Sequence, residues 1–166
     1  MFEVGDYVVS MANGICEIKD VVEMEMSGSR KEYFLLIPES EANSKVYVPV
    51  DSAEKRIRKA MDKKSALSVI EQISDMEELI ITNEKERETR YKEAVRSCDP
   101  KLLVGIIKNM YIRKQQRLAE GKKCTAMDEK YFKLAVHNLH AELAFALDCE
   151  ESEVEALIRR RIEKTA

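Results

Sequence analysis

The side chains with the clearest chemical potential in this chain of 166 residues are the bases gathered between Lys101 and Lys123. This stretch holds seven Lys or Arg residues and one acid, Glu120, although the whole chain has a formal net charge of -3. Such a concentration of positive charge attracts polyanions, including nucleic acids. The same composition also suits a helix face that is merely solvated, and composition by itself favours that second interpretation.

Two histidines form the one arrangement in the sequence that resembles a metal site. His137 and His140 are three residues apart with Glu142 close by, a spacing that could place their rings near each other on a helix. No second group of ligands supports a metal, so a structural or solvent-facing role is favoured. The cysteines lack a Cys-x-x-Cys pair and are interpreted as reduced thiols. They are Cys16, Cys98, Cys124 and Cys149.

Motifs for catalysis are missing from the sequence. Phosphate-binding loops of the Gly-x-x-x-x-Gly-Lys-Ser/Thr or Gly-x-Gly-x-x-Gly type do not occur, nor does the Gly-x-Ser-x-Gly nucleophile elbow. The apolar stripes of the second half are typical of a helix-bundle core rather than of a cofactor pocket. We therefore expect that the protein is not an enzyme and that it uses neither a cofactor nor a metal.

The first fifty residues have the pattern of a small antiparallel sheet. Short segments rich in Val, Ile, Tyr and Phe are separated by turn residues such as Asn13-Gly14 and Ser27-Gly28. Pro49 cannot donate a ladder hydrogen bond, so it should lie at a sheet edge or at a strand end. The predicted strands cover residues 7–10, 14–26, 31–37 and 45–50, with a fifth at 56–61 that would close a small SH3-like or Tudor-like barrel.

From about Asp62 onward, apolar residues recur at intervals of three and four, which predicts amphipathic helices. Asp62 is the candidate N-cap of the first helix, and a mostly polar second helix is predicted over 83–97. Asp99 and Pro100 begin a third helix, which ends near Gly121. Thr125, with an acid three residues later, opens a long fourth helix, and a fifth follows it.

Specific apolar residues of these helices are expected to face a common core. In the first helix they are Ala66, Leu67, Ile70 and Ile73, and in the third Leu103, Ile106, Ile107, Met110 and Tyr111. In the last two they are Tyr131, Leu134, Ala135, Leu139, Leu143, Ala146, Val154, Leu157, Ile158 and Ile162.

Charge divides the chain at the same place as the hydrophobic pattern. Residues 1–53 contain ten acids and four bases, whereas residues 54–166 contain twenty-four bases and twenty-one acids. A content of 45% hydrophobic and 36% charged residues is that of a globular protein. No apolar run approaches the ~20 residues that span a bilayer, and a signal-peptide pattern is missing, so a cytoplasmic protein without membrane contact is expected.

These patterns together predict an α+β protein. Its first domain, 1–61, is the small SH3-like or Tudor-like β-barrel. Its second domain, 62–166, is an all-α bundle of about five helices. Two architectures on one short chain suggest two separate tasks.

Several strings of the first half resemble the RNA-polymerase-interacting domain shared by CarD/CdnL transcription regulators and the transcription-repair coupling factor. They are F-x-V-G-D-Y-V-V, N-G-I-C-E-I, E-Y-F-L-L and V-Y-V-P-V-D-S-A-E. The second half is similar to the CarD-like regulators. Ser97-Cys98-Asp99 stands where that family has Ser-Gly-Asp, and the segments 106–111 and 141–147 resemble its V-V-R-x-L-(W/Y) and G-E-L-A-L-A strings. The resemblance spans nearly the whole chain, in an order that separates the regulators from the much longer coupling factor.

The resemblance implies a transcription regulator with two binding surfaces. The first domain would dock on the β subunit of RNA polymerase. The helical domain would contact promoter DNA, largely independently of its sequence, at the upstream edge of the bubble and would modulate open-complex stability. Joined to the basic stretch, the resemblance favours DNA contact over a solvated face, and the alternative is a module that binds proteins only. The protein is then expected to be nucleoid-associated in the cytoplasm and monomeric when free.

This interpretation assigns residues to each surface. The polymerase-binding residues are expected to be Met24, Arg30, Lys31, Lys45, Tyr47 and Pro49. The DNA-binding residues are expected to be Arg87, Arg90, Arg113, Lys114, Arg117, Lys122, Lys123 and Lys130.

The chain also departs from the family pattern. Members commonly have a tryptophan that wedges into the minor groove, but this chain has none, and counting back from Asp99 places Glu84 there. Without the wedge, open-complex stabilisation is expected to be weaker or conditional. Basic residues that the family often has on its polymerase-facing surface align with Met24 and Tyr47.

Overall fold

The computed structural model describes residues 1–165, with side chains through residue 161. It separates into two compact units, Met1–Ala60 and the part of the chain from Met61 onward. Within these residues an antiparallel sheet of five strands is followed by five α-helices. The predicted α+β fold class is thus confirmed. No helix in the described part of the chain has the length and apolar character needed to cross a membrane.

The first unit is an antiparallel sheet with the strand order β4-β3-β2-β1-β5. A 3-10 turn, Val50–Lys55, joins β4 to β5, and β5 pairs with β1. The first two strands have the predicted bounds, and β5 is shorter than the predicted fifth strand. The strands are β1 Tyr7–Ser10, β2 Gly14–Met26, β3 Ser29–Pro38, β4 Val46–Pro49 and β5 Ile57–Lys59.

The long β2–β3 hairpin follows from its turn residues. Ser27 and Gly28 both have positive φ, at 54° and 78°, and Met26 lies opposite Ser29. Positive φ at both central residues gives the two-residue turn whose twist matches that of the flanking strands. One face of the sheet forms the core of this unit. Its buried residues are Val8, Cys16, Ile18, Phe34, Leu36, Val48, Ala53 and Ile57.

The second unit consists of helices that begin where capping residues predict. Asp62 Oδ1 accepts a hydrogen bond from the backbone N–H of Ser65 at 2.7 Å, and Asp99 Oδ1 accepts one from Lys101 at 2.9 Å. Thr125 Oγ1 accepts one from the backbone N–H of Asp128 in the helix that follows it. All three predicted N-caps are therefore confirmed. The helices are α1 Lys63–Gln72, α2 Arg87–Ser97 after a 3-10 turn at Glu84–Glu86, α3 Pro100–Ala119, α4 Ala126–Leu147 and α5 Glu151–Thr165.

The helices share one core, but their apolar stripes are narrower than predicted. Four residues expected to face inward are exposed, and each is a chain neighbour of a residue that packs in the core. One step along a helix is a rotation of about 100°, which is enough to turn a side chain from the core to solvent. The side chain of Ile162 lies outside the described residues. The four residues that were predicted to face the core but are exposed are Leu67, Tyr111, Leu134 and Leu157.

The chain between α2 and α3 turns at a residue in a conformation that favours glycine. Cys98 is buried and has a φ of 54° in the left-handed region. Helices often end in this way because the left-handed residue lets the last carbonyls find hydrogen-bond donors. The CarD-like regulators that the sequence resembles have glycine at this position, which fits the left-handed backbone conformation of Cys98.

The segment between α1 and α2 has no long helix, and it lies against α3. The backbone N–H of Leu79 donates to the carbonyl of Gly105 at 3.0 Å, and Lys108 Nζ donates to the carbonyls of Ser74 and Met76. A Cβ added at Gly105 would stand 3.2 Å from the carbonyl oxygen of Glu77 and 3.3 Å from Leu79 Cβ. The absence of a side chain at Gly105 therefore allows this segment to approach the helix.

We expect Gly105→Ala to destabilise the protein by about 1–2 kcal/mol, because the new methyl group would push the 77–79 segment away from α3. Alanine otherwise favours a helix over glycine by about 1 kcal/mol, so a loss of stability rather than a gain would indicate the close approach. Urea unfolding followed by circular dichroism measures it. The matched variant Gln115→Gly, at an exposed site of α3, gives the ordinary effect of glycine in this helix. A Gly105→Ala protein more stable than wild type would contradict the close approach.

Candidate functional site

A β-bulge decides which side chains of β2 face outward. The register of β2 with β3 shifts between Ile18 and Asp20 and leaves Lys19 as an extra residue. Ile18 lies opposite Leu36, and both are fully buried, whereas Asp20 lies opposite Leu35, which is partly exposed. Because side chains alternate between the faces of a sheet, the bulge moves the following even-numbered residues of β2 to the outer face.

The register across β2, β3 and β4 then assembles a largely apolar surface. Tyr47 lies opposite Leu35, Pro49 opposite Tyr33, Tyr33 opposite Val22, and Met24 opposite Lys31. Residues directly opposite each other in antiparallel strands share a face. We call this surface the outer sheet face, and it consists of Asp20, Val22, Met24, Lys31, Tyr33, Leu35, Tyr47 and Pro49.

Four of the six residues predicted to bind polymerase lie on the outer sheet face. They are Met24, Lys31, Tyr47 and Pro49. Tyr47 is 42% exposed, and Pro49 ends β4, which is an edge strand as expected for this proline. Lys45 is exposed just before β4. Arg30 lies opposite Glu25 on the other face of the hairpin, so the structure does not group it with the rest.

The helical unit contains a buried polar cluster centred on Arg87, which is only 5% exposed. Its Nε and Nη2 donate to the carboxylate of Glu84 at 3.0 and 2.8 Å. Its Nη1 donates to Tyr91 Oη at 2.9 Å and to Asn109 Oδ1 at 3.1 Å. Burial alone would lower the pKa of Arg87, but its hydrogen bonds with Glu84 and Tyr91 raise it above its ordinary value. Arg87 therefore keeps its charge inside the domain.

Asp128 completes the cluster from the first turn of α4. It accepts hydrogen bonds from Tyr91 Oη and from Arg113 Nε, each at 2.8 Å. Arg113 Nη1 also donates to Glu84 Oε1 at 3.1 Å, so two arginines share one carboxylate. Burial raises the pKa of Tyr91 to about 12. We call Glu84, Arg87, Tyr91, Asn109, Arg113 and Asp128 the polar cluster.

The polar cluster changes the role of two residues predicted to bind DNA. The guanidinium of Arg87 is enclosed, and the side chain of Arg113 is 21% exposed and bound by two carboxylates. Neither group is presented as an unpaired positive charge. In this conformation, Arg87 cannot contact DNA directly, because Glu84 occupies its Nε and Nη2.

The remaining predicted bases are more exposed and lie mostly around the loop from α3 to α4. Lys114 and Lys123 are exposed, and neither makes an ion pair among the residues that the structure describes. Arg117 Nε donates to the carbonyl of Lys123 at 3.0 Å, which ties the loop to the end of α3. Four of these bases are exposed and Arg117 is partly exposed, and we call the five the exposed basic group: Lys114, Arg117, Lys122, Lys123 and Lys130.

Other contacts limit some of these bases. Lys122 pairs with Glu120 at 3.3 Å, and Lys130 Nζ lies 5.3 Å from the centre of the Tyr131 ring. Arg90 lies apart from the group on α2, where it forms a loose ion pair with Glu93 at 3.9 Å. Exposed ion pairs of this kind are weak and yield readily to a competing anion.

The two histidines do not form a shared site with the acid near them in the sequence. His137 Nδ1 lies 3.4 Å from Glu151, whereas the buried Glu142 accepts a hydrogen bond from the backbone N–H of Met61 at 2.9 Å. Burial lowers the pKa of His140. Among the described residues, no group of three or more His, Cys, Asp or Glu side chains could hold a metal.

The sequence did not reveal the polar cluster. One signal was available, because Asn109 interrupts the apolar stripe of α3 between Ile106 and Met110, and it is buried. A buried amide needs hydrogen-bond partners, which makes such a residue a marker of an internal polar network. Its partners come from other helices, so the sequence pattern could not name them.

Asp128 should make stability depend on pH in acid. Burial alone would raise its pKa, but hydrogen bonds from Arg113, Tyr91 and Thr125 hold that pKa below the ordinary value. Its stabilising effect is therefore complete above the unfolded pKa of about 3.9 and is lost as pH falls through the lower folded pKa. We expect Asp128→Asn to cost about 2 kcal/mol at pH 7 and less at lower pH.

Urea unfolding of wild type and variant from pH 7 to pH 2.5 measures this difference. Glu129→Gln is the matched control, since Glu129 is an exposed acid on the same helical turn. A difference between wild type and Asp128→Asn that stays constant over the whole pH range would contradict a charged Asp128 in the cluster.

Two family models match the chain. Residues 2–61, which contain the outer sheet face, match the model described as the CarD-like/TRCF RID domain. Residues 67–159, which contain the polar cluster and the exposed basic group, match the CarD C-terminal domain and cover more than half of the chain. A search of curated proteins found no match.

Proposed function

The chain belongs to the CarD-like family, and we propose that it docks on the β subunit of RNA polymerase and contacts promoter DNA near the upstream edge of the bubble. Family membership makes it a transcription regulator of the CarD/CdnL type, with RNA polymerase as partner and a Tudor-like N-terminal domain. The family is one of non-enzymatic transcription factors. The proposed domains are 1–61 for polymerase and 62–166 for DNA.

The observation that carries the polymerase assignment is the outer sheet face within the matched region. Its centre is apolar, and Tyr47 is exposed on edge strand β4. Aromatic residues at the centre of an interface often supply much of its binding energy, and an exposed edge strand can pair with a strand of the partner. We propose that β4 and its outward side chains form the contact.

The DNA assignment is supported by the exposed basic group. Its residues lie at the C-terminal end of α3, in the following loop and at the start of α4. Lysine and arginine side chains at such a surface bind phosphates regardless of base sequence. We propose that they hold the promoter duplex, and that Arg87 and Arg113 fix the helices that carry them.

The position at which the family commonly has tryptophan differs in this chain. Glu84 occupies it, with an exposed carboxylate that is bound to two arginines. An apolar wedge would lower the free energy needed to hold an unstacked base step, and a carboxylate provides no such effect. We therefore propose that the protein modulates open-complex stability through phosphate contacts alone.

The test uses the full-length chain with purified RNA polymerase and a promoter fragment. We expect the chain to bind the polymerase, to change the lifetime of the open complex, and to bind duplex DNA with a steep dependence on salt. Binding to polymerase without an effect on lifetime, and without salt-dependent DNA binding, would instead identify a protein-only interaction module.

A further inference from the structure

We propose that Arg87 and Arg113 form a binding site for one phosphate group, and that Glu84 occupies this site in the free chain. Glu84 accepts hydrogen bonds from Nε and Nη2 of Arg87 and from Nη1 of Arg113, at 2.8 to 3.3 Å. Guanidinium groups bind phosphate and carboxylate oxygens through the same paired geometry. The Glu84 carboxylate is thus positioned as an internal substitute for a phosphate.

The two arginines are held from the inner side, so the site does not depend on Glu84 for its shape. Nη1 of Arg87 is bound by Tyr91 and Asn109, and Nε of Arg113 is bound by Asp128. The nitrogens that contact Glu84 are Nε and Nη2 of Arg87 and Nη1 of Arg113, and these differ from the nitrogens that make the inner contacts. A site with fixed donors needs little reorganisation when one anion replaces another.

The side chain of Glu84 is free to rotate out of the site. Its side chain is 65% exposed, whereas those of Arg87 and Arg113 are 6% and 21% exposed. It belongs to a short 3-10 turn, so rotation of its side chain requires no movement of a long helix. Its pKa is lowered, chiefly by its hydrogen bond with Arg87, so it stays charged at neutral pH and competes with other anions.

The net charge of the site explains why a phosphate would be accepted. Without Glu84, Arg113 would keep its ion pair with Asp128, and Arg87 would keep its hydrogen bonds to the neutral side chains of Tyr91 and Asn109, with Glu78 bound to the amide of Asn109. A tethered carboxylate has a high local concentration, so small anions displace it poorly. A polyanion already held by Lys114 and Arg117 would place its phosphates beside the site at a comparably high concentration.

This inference rests on the proposed function where it names DNA as the source of the phosphate, but the site can be tested without DNA. The variant is Glu84→Gln, and the matched control is Glu86→Gln, which removes the same charge from an exposed position of the same turn. Thermal unfolding is measured in sodium phosphate and in sodium chloride of equal ionic strength. We expect phosphate to raise the Tm of Glu84→Gln by at least about 2 °C more than that of the control or wild type.

A further substitution, Arg113→Met in the Glu84→Gln background, should remove this extra stabilisation by phosphate. An equal response of Glu84→Gln and Glu86→Gln to phosphate would overturn the site. If Glu84→Gln does not fold, Glu84→Asp keeps the charge on a shorter side chain. That variant should show part of the phosphate effect, and no effect would again overturn the site.

The second measurement titrates a 20-base-pair duplex at several salt concentrations. We expect Glu84→Gln to bind about tenfold more tightly than Glu86→Gln, with a salt slope steeper by about one, because one additional phosphate is contacted. A phosphate effect without DNA binding by any variant would retain the site for free phosphate and reject the proposed DNA function. DNA binding that is equal in the two variants, without a phosphate effect, would reject the site and retain the function.

Discussion

Replacing Tyr47 by Glu should weaken binding to RNA polymerase by at least about 100-fold and change the free energy of unfolding by less than about 0.5 kcal/mol. Tyr47 is 42% exposed on edge strand β4, so the free protein accommodates a carboxylate there in water. In the proposed complex the same carboxylate would be buried without a partner on an apolar face, which is strongly unfavourable.

Titration of immobilised polymerase with each variant measures the loss, and thermal unfolding checks the fold. Tyr111→Glu is the matched control, because Tyr111 is an exposed tyrosine on α3 in the helical unit. We expect the control to bind polymerase as the wild type does. Wild-type affinity in Tyr47→Glu would contradict the assignment of the outer sheet face to polymerase.

Replacing Lys114, Arg117 and Lys123 together by Ala should weaken DNA binding on the order of 100-fold at low salt and reduce the salt slope by about three. Each base is proposed to contact one phosphate, and each lost contact removes about 0.9 from the slope. The loss should be similar for unrelated sequences, because phosphates do not encode sequence. Arg113 is left unchanged, since its ion pairs with Asp128 and Glu84 hold the helices together.

The matched control removes three exposed bases from α1 and α5, namely Lys63, Lys64 and Arg160. It changes the net charge equally but leaves the exposed basic group intact, so its salt slope should stay near that of wild type. Open-complex lifetimes measured with both triple variants extend the comparison to the promoter. Equal losses in the two triple variants would show that binding follows net charge rather than the proposed surface.

Two substitutions of Glu84, which occupies the family's tryptophan position, can separate the effect of an apolar wedge from the effect of losing the carboxylate. Replacement of Glu84 by Trp would add an apolar wedge, but it would also remove the carboxylate that binds Arg87 and Arg113. Glu84→Gln removes the carboxylate without adding the wedge. A longer open-complex lifetime in Glu84→Trp than in Glu84→Gln would therefore report the wedge itself.

The sequence alone determined which elements form and where several of them begin, because the signals for these are local. Asp62, Asp99 and Thr125 cap their helices as predicted, since an N-cap bonds to a backbone N–H only two or three residues away. Short segments rich in Val, Ile and Tyr, bounded by turn residues, likewise defined β1 and β2. Leu67 and Tyr111 were predicted to face the core but are exposed, because helix packing decides how wide a buried face is.

Only the tertiary structure decided what the functional side chains face. The bulge at Lys19 moves Val22 and Met24 to the outer sheet face, and this depends on pairing with β3. Arg87 and Lys114 look alike as bases in the sequence, yet one is enclosed and the other is exposed. The partners of Arg87 include Asn109, twenty-two residues away. Whether a charge is paired or available depends on such distant contacts, which form only when the helices pack.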